Sequence, residues 1–250
     1  MSGTPRERLS AITHDDLPFH NPLDPARVDE LIGLLGLGPD DRAVDIGCGP
    51  GELLVRLAEH TGAGGIGVDL AEEQIAEARR RAAARAPDAQ LEFVAGDAGS
   101  LDLEPETFAL AACVGSTHAL GGLDATLDRL AELTRPGGFV LVGDGYWRRA
   151  PDPRYLAVLG ATEDELPDYG GLVRADERAG LTPVYAITSG TEEWDRYEWR
   201  LILNGERHAH EHTGETGMDD LRAWVAAARD RYLSPGGRDT LGFALVAWMK

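Results

Sequence analysis

The spacing of apolar positions changes period repeatedly along the first two thirds of the chain. Val28, Leu31, Ile32 and Leu35 fall at i, i+3, i+4 and i+7, the stripe of one helix face. Asp24 suits the cap of that helix, Pro25 its first turn, and Gly36 its end. Short apolar runs then alternate with helical stretches. Ala43–Ile46 predicts a strand, Leu53–Glu59 a helix, Gly65–Asp69 a strand and Glu72–Arg85 a helix. Leu91–Val94 and Phe108–Val114 predict strands, and Leu123–Leu133 a helix. Phe139–Val142 predicts another strand, after a turn at Pro136-Gly137-Gly138. Strand and helix alternating at this spacing imply crossover units, and therefore a parallel sheet covered on both faces.

Beyond about residue 146 the pattern loosens. Residues 149–183 carry prolines and two short helical stretches, with Thr162 and Asp168 as candidate caps. Thr182–Thr188 and Leu241–Trp248 predict two further strands. The residues between them, 189–239, read as helical and hold Trp194, Tyr197, Trp199, Trp224 and Tyr232. Such a stretch is too long for a plain loop, and it predicts a helical cap inserted between the last two strands. The expected organisation is an N-terminal lid segment (1–23), a core (24–188), the cap (189–239) and a final core strand (240–250).

Composition narrows the partners. Acidic residues outnumber basic ones 43 to 24, a formal charge of −19, which repels nucleic acid and anionic lipid alike. No apolar run reaches the roughly 20 residues of a membrane helix, and Met1–Asp16 lacks the apolar centre of a signal peptide, so a soluble, cytoplasmic protein is expected. Cys48 and Cys113 are too few for a disulfide scaffold or a cysteine zinc site. His208 and His212 share a helical spacing that a metal could use, but their charged surroundings favour a solvated face, and no metal is expected.

The richest local chemistry is Asp45-Ile46-Gly47-Cys48-Gly49-Pro50-Gly51-Glu52, which leaves a strand and enters a helix. Its glycines let the backbone turn tightly and approach a ligand. Asp69 ends the next strand, where an acid can accept both hydroxyls of a ribose. Asp97, in Gly96-Asp97-Ala98, follows the third strand, where an acid can receive the amino group of a base. All three acids fall at the C-terminal ends of successive parallel strands, the edge where open α/β sheets bind ligands. The dinucleotide fingerprint G-x-G-x-x-G fails at Glu52, and acids at 45 and 52 suit a cation better than a pyrophosphate. A ribose, an adenine and cationic ammonium and sulfonium groups together describe S-adenosylmethionine.

Asp45–Gly51 resembles the first motif, D-x-G-x-G-x-G, of the class I S-adenosylmethionine-dependent methyltransferases. Val68-Asp69-Leu70 resembles their ribose site and Gly96-Asp97-Ala98 their adenine site. Leu133–Gly138 resembles the turn before their fifth strand. The resemblance spans about residues 24–146. It implies a Rossmann-like, doubly wound α/β fold with a mostly parallel seven-stranded sheet, and a helical cap outside the common core. It implies S-adenosylmethionine as cofactor, S-adenosylhomocysteine as product and methyl transfer by direct displacement, while the acidic surface and the cap favour a small-molecule acceptor over RNA or DNA. Asp45, Gly47 and Gly49 are then expected at the methionine end, Asp69 at the ribose, Leu70 on the adenine, and Asp97 and Ala98 at its amino edge. Gln74, Val114 and Cys48 join the cofactor set by position, Cys48 as a small filler of the loop.

Methyl transfer needs alignment and exclusion of water, and an oxygen or nitrogen acceptor also needs a base. His118, just after the fourth strand, is the first candidate, against a His that merely bonds a loop carbonyl. His20, on the N-terminal segment, is the second. Phe19, Tyr146, Trp147, Trp194 and Trp199 are candidate acceptor contacts, with plain packing as the alternative. Two other functions remain open at this point: an NAD(P)-dependent oxidoreductase, and a non-catalytic S-adenosylmethionine-binding regulator.

Overall fold

A computed structural model describes residues 5–175 and 180–250 of the chain. The residues divide into two compact units.

The larger unit comprises Asp24–Gly145, Tyr169–Thr188 and Phe243–Lys250. It contains α2 (Pro25–Leu35; α1 belongs to the other unit), β1 (Arg42–Ile46), α3 (Glu52–Thr61), β2 (Gly64–Asp69), α4 (Glu72–Arg85), β3 (Leu91–Ala95), β4 (Phe108–Val114) and α5 (Leu123–Leu133). It also holds most of β5 (Thr134–Trp147), α7 (Tyr169–Val173), β6 (Thr182–Thr188) and most of β7 (Leu241–Met249). The strands form one seven-stranded sheet in the order β3-β2-β1-β4-β5-β7-β6. β1 to β5 pair in parallel, and β6 and β7 pair antiparallel.

The local causes are those the sequence indicates. Asp24 Oδ1 accepts the Ala26 N–H at 2.8 Å, and Gly36 ends α2 at φ 65°. Val28, Leu31, Ile32 and Leu35 are buried, and each such side chain contributes roughly 1.5–3 kcal/mol. β4 is buried along its first six residues, the signature of a central parallel strand covered on both faces.

β5 differs from expectation. It begins at Thr134, not Phe139, and runs on to Trp147. The Pro136-Gly137-Gly138 segment is an irregularity within the strand, marked by a register shift opposite Phe108 and Leu110. Gly137 lies at φ 75°, and a side chain at Gly138 would stand 2.9 Å from the Ala109 carbonyl oxygen. The segment is also tied to Lys250: Gly137 N–H donates to Lys250 O and Lys250 N–H donates to Gly138 O.

The smaller unit comprises the residues up to Leu23, Tyr146–Asp168 and Ser189–Gly242. It contains α1 (Pro5–Thr13), α6 (Pro153–Leu159), α8 (Thr191–Glu211) and α9 (Met218–Leu233). The helices expected over residues 189–239 are therefore α8 and α9, and they lie in the chain between β6 and β7. They group with the N-terminal segment and with the stretch after β5, so residues 146–168, expected in the core, fall with the cap helices instead. Ile202, Ala209, Met218, Leu221 and Val225 form the core of this unit, with Leu9, Ile12 and Trp224 packed against it. Asn204 Nδ2 donates to the Thr13 carbonyl at 3.1 Å and ties α8 to the end of α1. α6 takes its cap from Asp152, while Thr162 caps a single turn at Glu163–Glu165. Among the described residues no helix is long and apolar enough to cross a membrane.

Candidate active site

At the C-terminal edge of the sheet the loop after β1 is bound to the end of β2. Gly47 and Cys48 both donate their backbone N–H to the Val68 carbonyl, at 2.8 and 3.0 Å. Gly49 N–H donates to Asp69 Oδ2 at 2.9 Å, and Ala71 N–H donates to Asp69 Oδ1 at 2.9 Å. Gly47 and Gly49 both have positive φ, 69° and 51°. Their surroundings differ. A side chain at Gly47 would stand 2.3 Å from Ser116 Cβ, whereas no atom lies within 4 Å of one at Gly49. Gly47 thus keeps the loop packed on the segment after β4, and Gly49 presents bare backbone to open space.

Asp45 sits in β1 beside this loop and is buried, 3% exposed. Its Oδ1 has no hydrogen-bond partner. Burial, and then the nearby Asp69 carboxylate, push its pKa up to about 8. A buried acid left unmet beside a second acid calls for a cation. Burial likewise raises the Cys48 and Cys113 thiols, with Asp45 adding to both, so neither is a ready nucleophile. Cys48 Sγ fills the space beside Gly67, where a side chain would come within 2.8 Å of it.

Glu52 corrects the expectation that it faces a ligand cation. Its carboxylate accepts from Arg56 Nε at 2.7 Å, Arg81 Nη1 at 2.9 Å and Arg85 Nη1 at 2.7 Å. The cations it meets belong to this chain. Arg56 lies four residues on along α3, and Arg81 and Arg85 lie four apart on one face of α4.

The other expected cofactor residues are placed as follows. Leu70 stands exposed just past β2. Gln74 is half-buried in the first turn of α4, and Val114 ends β4 half-buried. Asp97 is exposed and caps the turn after β3, with Oδ1 accepting the Gly99 N–H at 3.0 Å and Oδ2 the Ser100 hydroxyl at 3.1 Å. Ala98 is buried in that turn.

His118 lies exposed on the turn Thr117–Leu120 after β4. Among the described residues its ring makes no hydrogen bond. The turn itself is braced. Thr117 Oγ1 donates to Asp144 Oδ2 at 2.7 Å, and Thr126 Oγ1 donates to the Thr117 carbonyl at 3.2 Å. Sequence reasoning missed Ser116, whose Oγ donates to the Gly47 carbonyl at 3.3 Å. Its place two residues past the end of β4 was the available signal.

The remaining candidates belong to the helical unit. The His20 ring lies 4.5 Å from that of His14, and the His20 carbonyl accepts the Tyr197 hydroxyl at 3.0 Å. Phe19 is buried, as is Tyr146, whose ring fills the space at Gly242. Trp147 is buried and donates its indole N–H to the Glu163 carbonyl at 2.8 Å. Trp194 is buried with its indole N–H unpartnered, and Trp199 is largely exposed. The His208 and His212 rings stack at 4.1 Å, and among the described residues no cluster of three or more His, Cys, Asp or Glu is placed to hold a metal.

A family profile described as "Methyltransferase domain" matches residues 43–138. The fold is similar to a SAM-dependent methyltransferase of Geobacter sulfurreducens solved with S-adenosyl-L-homocysteine, 31% identical, covering 97% of each chain with a TM-score of 0.88. It is similar to another from Thiobacillus denitrificans, also solved with S-adenosyl-L-homocysteine, at 30% identity and TM-score 0.87, covering 97% of this chain and 98% of that one. The 27-O-demethylrifamycin SV methyltransferase of Amycolatopsis mediterranei is 29% identical over 187 residues, 68% of this chain and 67% of that protein.

Proposed function

Since the chain belongs to the S-adenosylmethionine-dependent methyltransferases, we propose that it methylates a small-molecule acceptor, with the donor held at the β1–β2 edge of the sheet. Membership sets aside the oxidoreductase alternative. The observation that carries the donor site is the unpartnered Oδ1 of buried Asp45 beside a loop of bare glycine backbone.

S-adenosylmethionine supplies a methyl group activated on a sulfonium and leaves as S-adenosylhomocysteine. The residues fit it. Asp45 meets the ammonium of its methionine end, where a cation relieves the cost of an ionised buried acid. The Gly47–Gly49 backbone lies along the same end. Asp69 retains lone pairs on both oxygens beyond the two backbone bonds it accepts, and these receive the ribose hydroxyls. Leu70 covers the adenine, and Asp97 and Ala98 meet its amino edge. Gln74 and Val114 border the same pocket. Cys48 serves the loop as a filler.

His118 is the proton acceptor of this reading. For an oxygen or nitrogen acceptor, an imidazole nitrogen takes the proton that the nucleophile loses as the new bond to carbon forms. Its turn is held by the Thr117–Asp144 bond, so the base is positioned before the acceptor arrives. Acceptor selectivity we assign to the helical unit, through Trp194, Trp199, Tyr146 and Phe19. His20, in contact with His14, serves to hold the N-terminal segment.

A small acceptor is favoured by the formal charge of −19, which repels nucleic acid. It is also in keeping with the Amycolatopsis relative, whose name gives 27-O-demethylrifamycin SV as its acceptor. The test is transfer of label from methyl-labelled S-adenosylmethionine across a metabolite library and, in parallel, across total RNA and protein. Label appearing only in macromolecules would overturn the small-molecule reading.

A further inference from the structure

Three buried polar atoms run in series at the start of α8, and none has a hydrogen-bond partner: Ser189 Oγ, Trp194 Nε1 and Glu198 Oε2. Their residues are 2%, 8% and 6% exposed. Ser189 precedes Gly190, the residue that caps α8, and Trp194 is the fourth residue of the helix. Residues at those two positions often pack on one another where a chain enters a helix. Glu198 lies one turn further along the same face, about 6 Å up the axis.

Several other buried polar groups of the helical unit are met, although Asn21 Oδ1 is not. Asn204 Nδ2 bonds the Thr13 carbonyl, the Tyr232 hydroxyl bonds Asp195 Oδ1 at 2.6 Å, and the Trp147 indole bonds Glu163. Burial raises the Glu198 carboxyl, and the nearby Arg231 guanidinium only partly opposes that. Among the described residues no ion pair joins the two.

The three atoms specify a chemistry. The Trp194 N–H can only donate, and an ionised Glu198 oxygen can only accept. One group that meets both must accept and donate together, as a hydroxyl does through a single atom and a primary amide only through two separate ones. An ammonium would leave the indole unmet, and a carboxylate or phosphate would be repelled by Glu198. The Trp194 ring, with the Tyr197 ring edge-on to it at 6.3 Å, offers aromatic surface to the body of such a molecule.

We propose that Ser189, Trp194 and Glu198 form a subsite that binds a hydroxyl group on a largely apolar molecule. That this molecule is the methyl acceptor rests on the methyltransferase reading above; the subsite itself does not.

The test uses the full chain with ¹⁵N-labelled tryptophan indoles and four probes of one shape: benzyl alcohol, benzylamine, benzamide and toluene. Trp194→Phe identifies the Trp194 indole resonance. The expected result is a saturable shift of that resonance with benzyl alcohol, at least tenfold weaker with each other probe. Glu198→Leu should weaken the alcohol at least tenfold, and Glu198→Gln, which still offers an accepting oxygen, should restore most of the binding. No shift with benzyl alcohol, or an equal shift with benzylamine, benzamide or toluene, would overturn the proposal. The panel is read on the unaltered chain, so it decides even where a Glu198 variant fails to fold. Calorimetry with S-adenosylhomocysteine on the same sample separates the two claims. S-adenosylhomocysteine binding without an alcohol response removes the subsite alone, and an alcohol response without that binding upholds the subsite and counts against the donor site.

Discussion

Gly49 donates its backbone N–H to the Asp69 carboxylate at 2.9 Å, so the loop after β1 and the acid ending β2 form one hydrogen-bonded piece. Asp69 therefore has two duties in the reading above: it shapes the loop and it receives the ribose. Asp69→Ala removes both. Hydrogen bonds to charged groups contribute roughly 1.5–3 kcal/mol each, so affinity for S-adenosylmethionine should fall at least tenfold in calorimetry. A folded Asp69→Ala chain that binds normally would remove Asp69 from the donor site.

Gly47 and Gly49 should respond differently to the same change. Both positions carry the left-handed strain of a side chain at positive φ, roughly 1–2 kcal/mol. Alanine at Gly47 also collides with Ser116. Gly47→Ala should lower the melting temperature more than Gly49→Ala, and adding Ser116→Gly should recover part of the loss. Gly49→Ala, with open space around it, should show its defect mainly in donor affinity. Equal melting temperatures for the two would contradict this division.

Glu52 and Asp45, both buried acids of the same loop region, should also separate. Glu52→Gln leaves Arg56, Arg81 and Arg85 without their shared carboxylate. Breaking a buried ion pair costs about 3–5 kcal/mol, so a large fall in melting temperature is expected, with donor affinity in the surviving folded protein near normal. A stable Glu52→Gln chain that cannot bind the donor would return Glu52 to the site.

Asp45 sets a pH dependence. Its pKa is about 8 folded and near 3.8 unfolded. Between those values the folded chain holds a proton that the unfolded chain has released. The stability from this group is thus complete below about pH 4 and is lost as pH rises toward 8. Asp45→Asn should flatten that decline in denaturant titrations of the free protein. An unchanged pH profile in Asp45→Asn would show that Asp45 ionises normally.

The strands and helices of the sheet unit were legible because their periods are unambiguous: α4, β4, α5 and β6 begin and end where the pattern places them. β5 was not, because Pro136-Gly137-Gly138 reads locally as a turn, and its pairing with β4 on either side and its bonds to Lys250 come from distant parts of the chain. The acids at 45, 69 and 97 could be placed at strand ends from spacing alone. The partners of Glu52 could not, since Arg81 and Arg85 come from another helix. The grouping of the N-terminal segment with α8 depends on contacts such as Thr13–Asn204, 191 residues apart, which no local pattern records.

His118→Asn should reduce turnover by about 10²-fold or more, the usual contribution of a general base, while donor affinity stays within twofold. Turnover that survives intact would leave the acceptor to react without a base.

The most direct measurement is a crystal structure of the chain with S-adenosylhomocysteine. The predicted result has the ligand's ammonium within hydrogen-bond reach of Asp45, its ribose hydroxyls on Asp69, and its methionine end along Gly47 and Gly49. Ordered ligand with the ribose away from Asp69 and no ligand atom near Asp45 would contradict the assignment of the donor site.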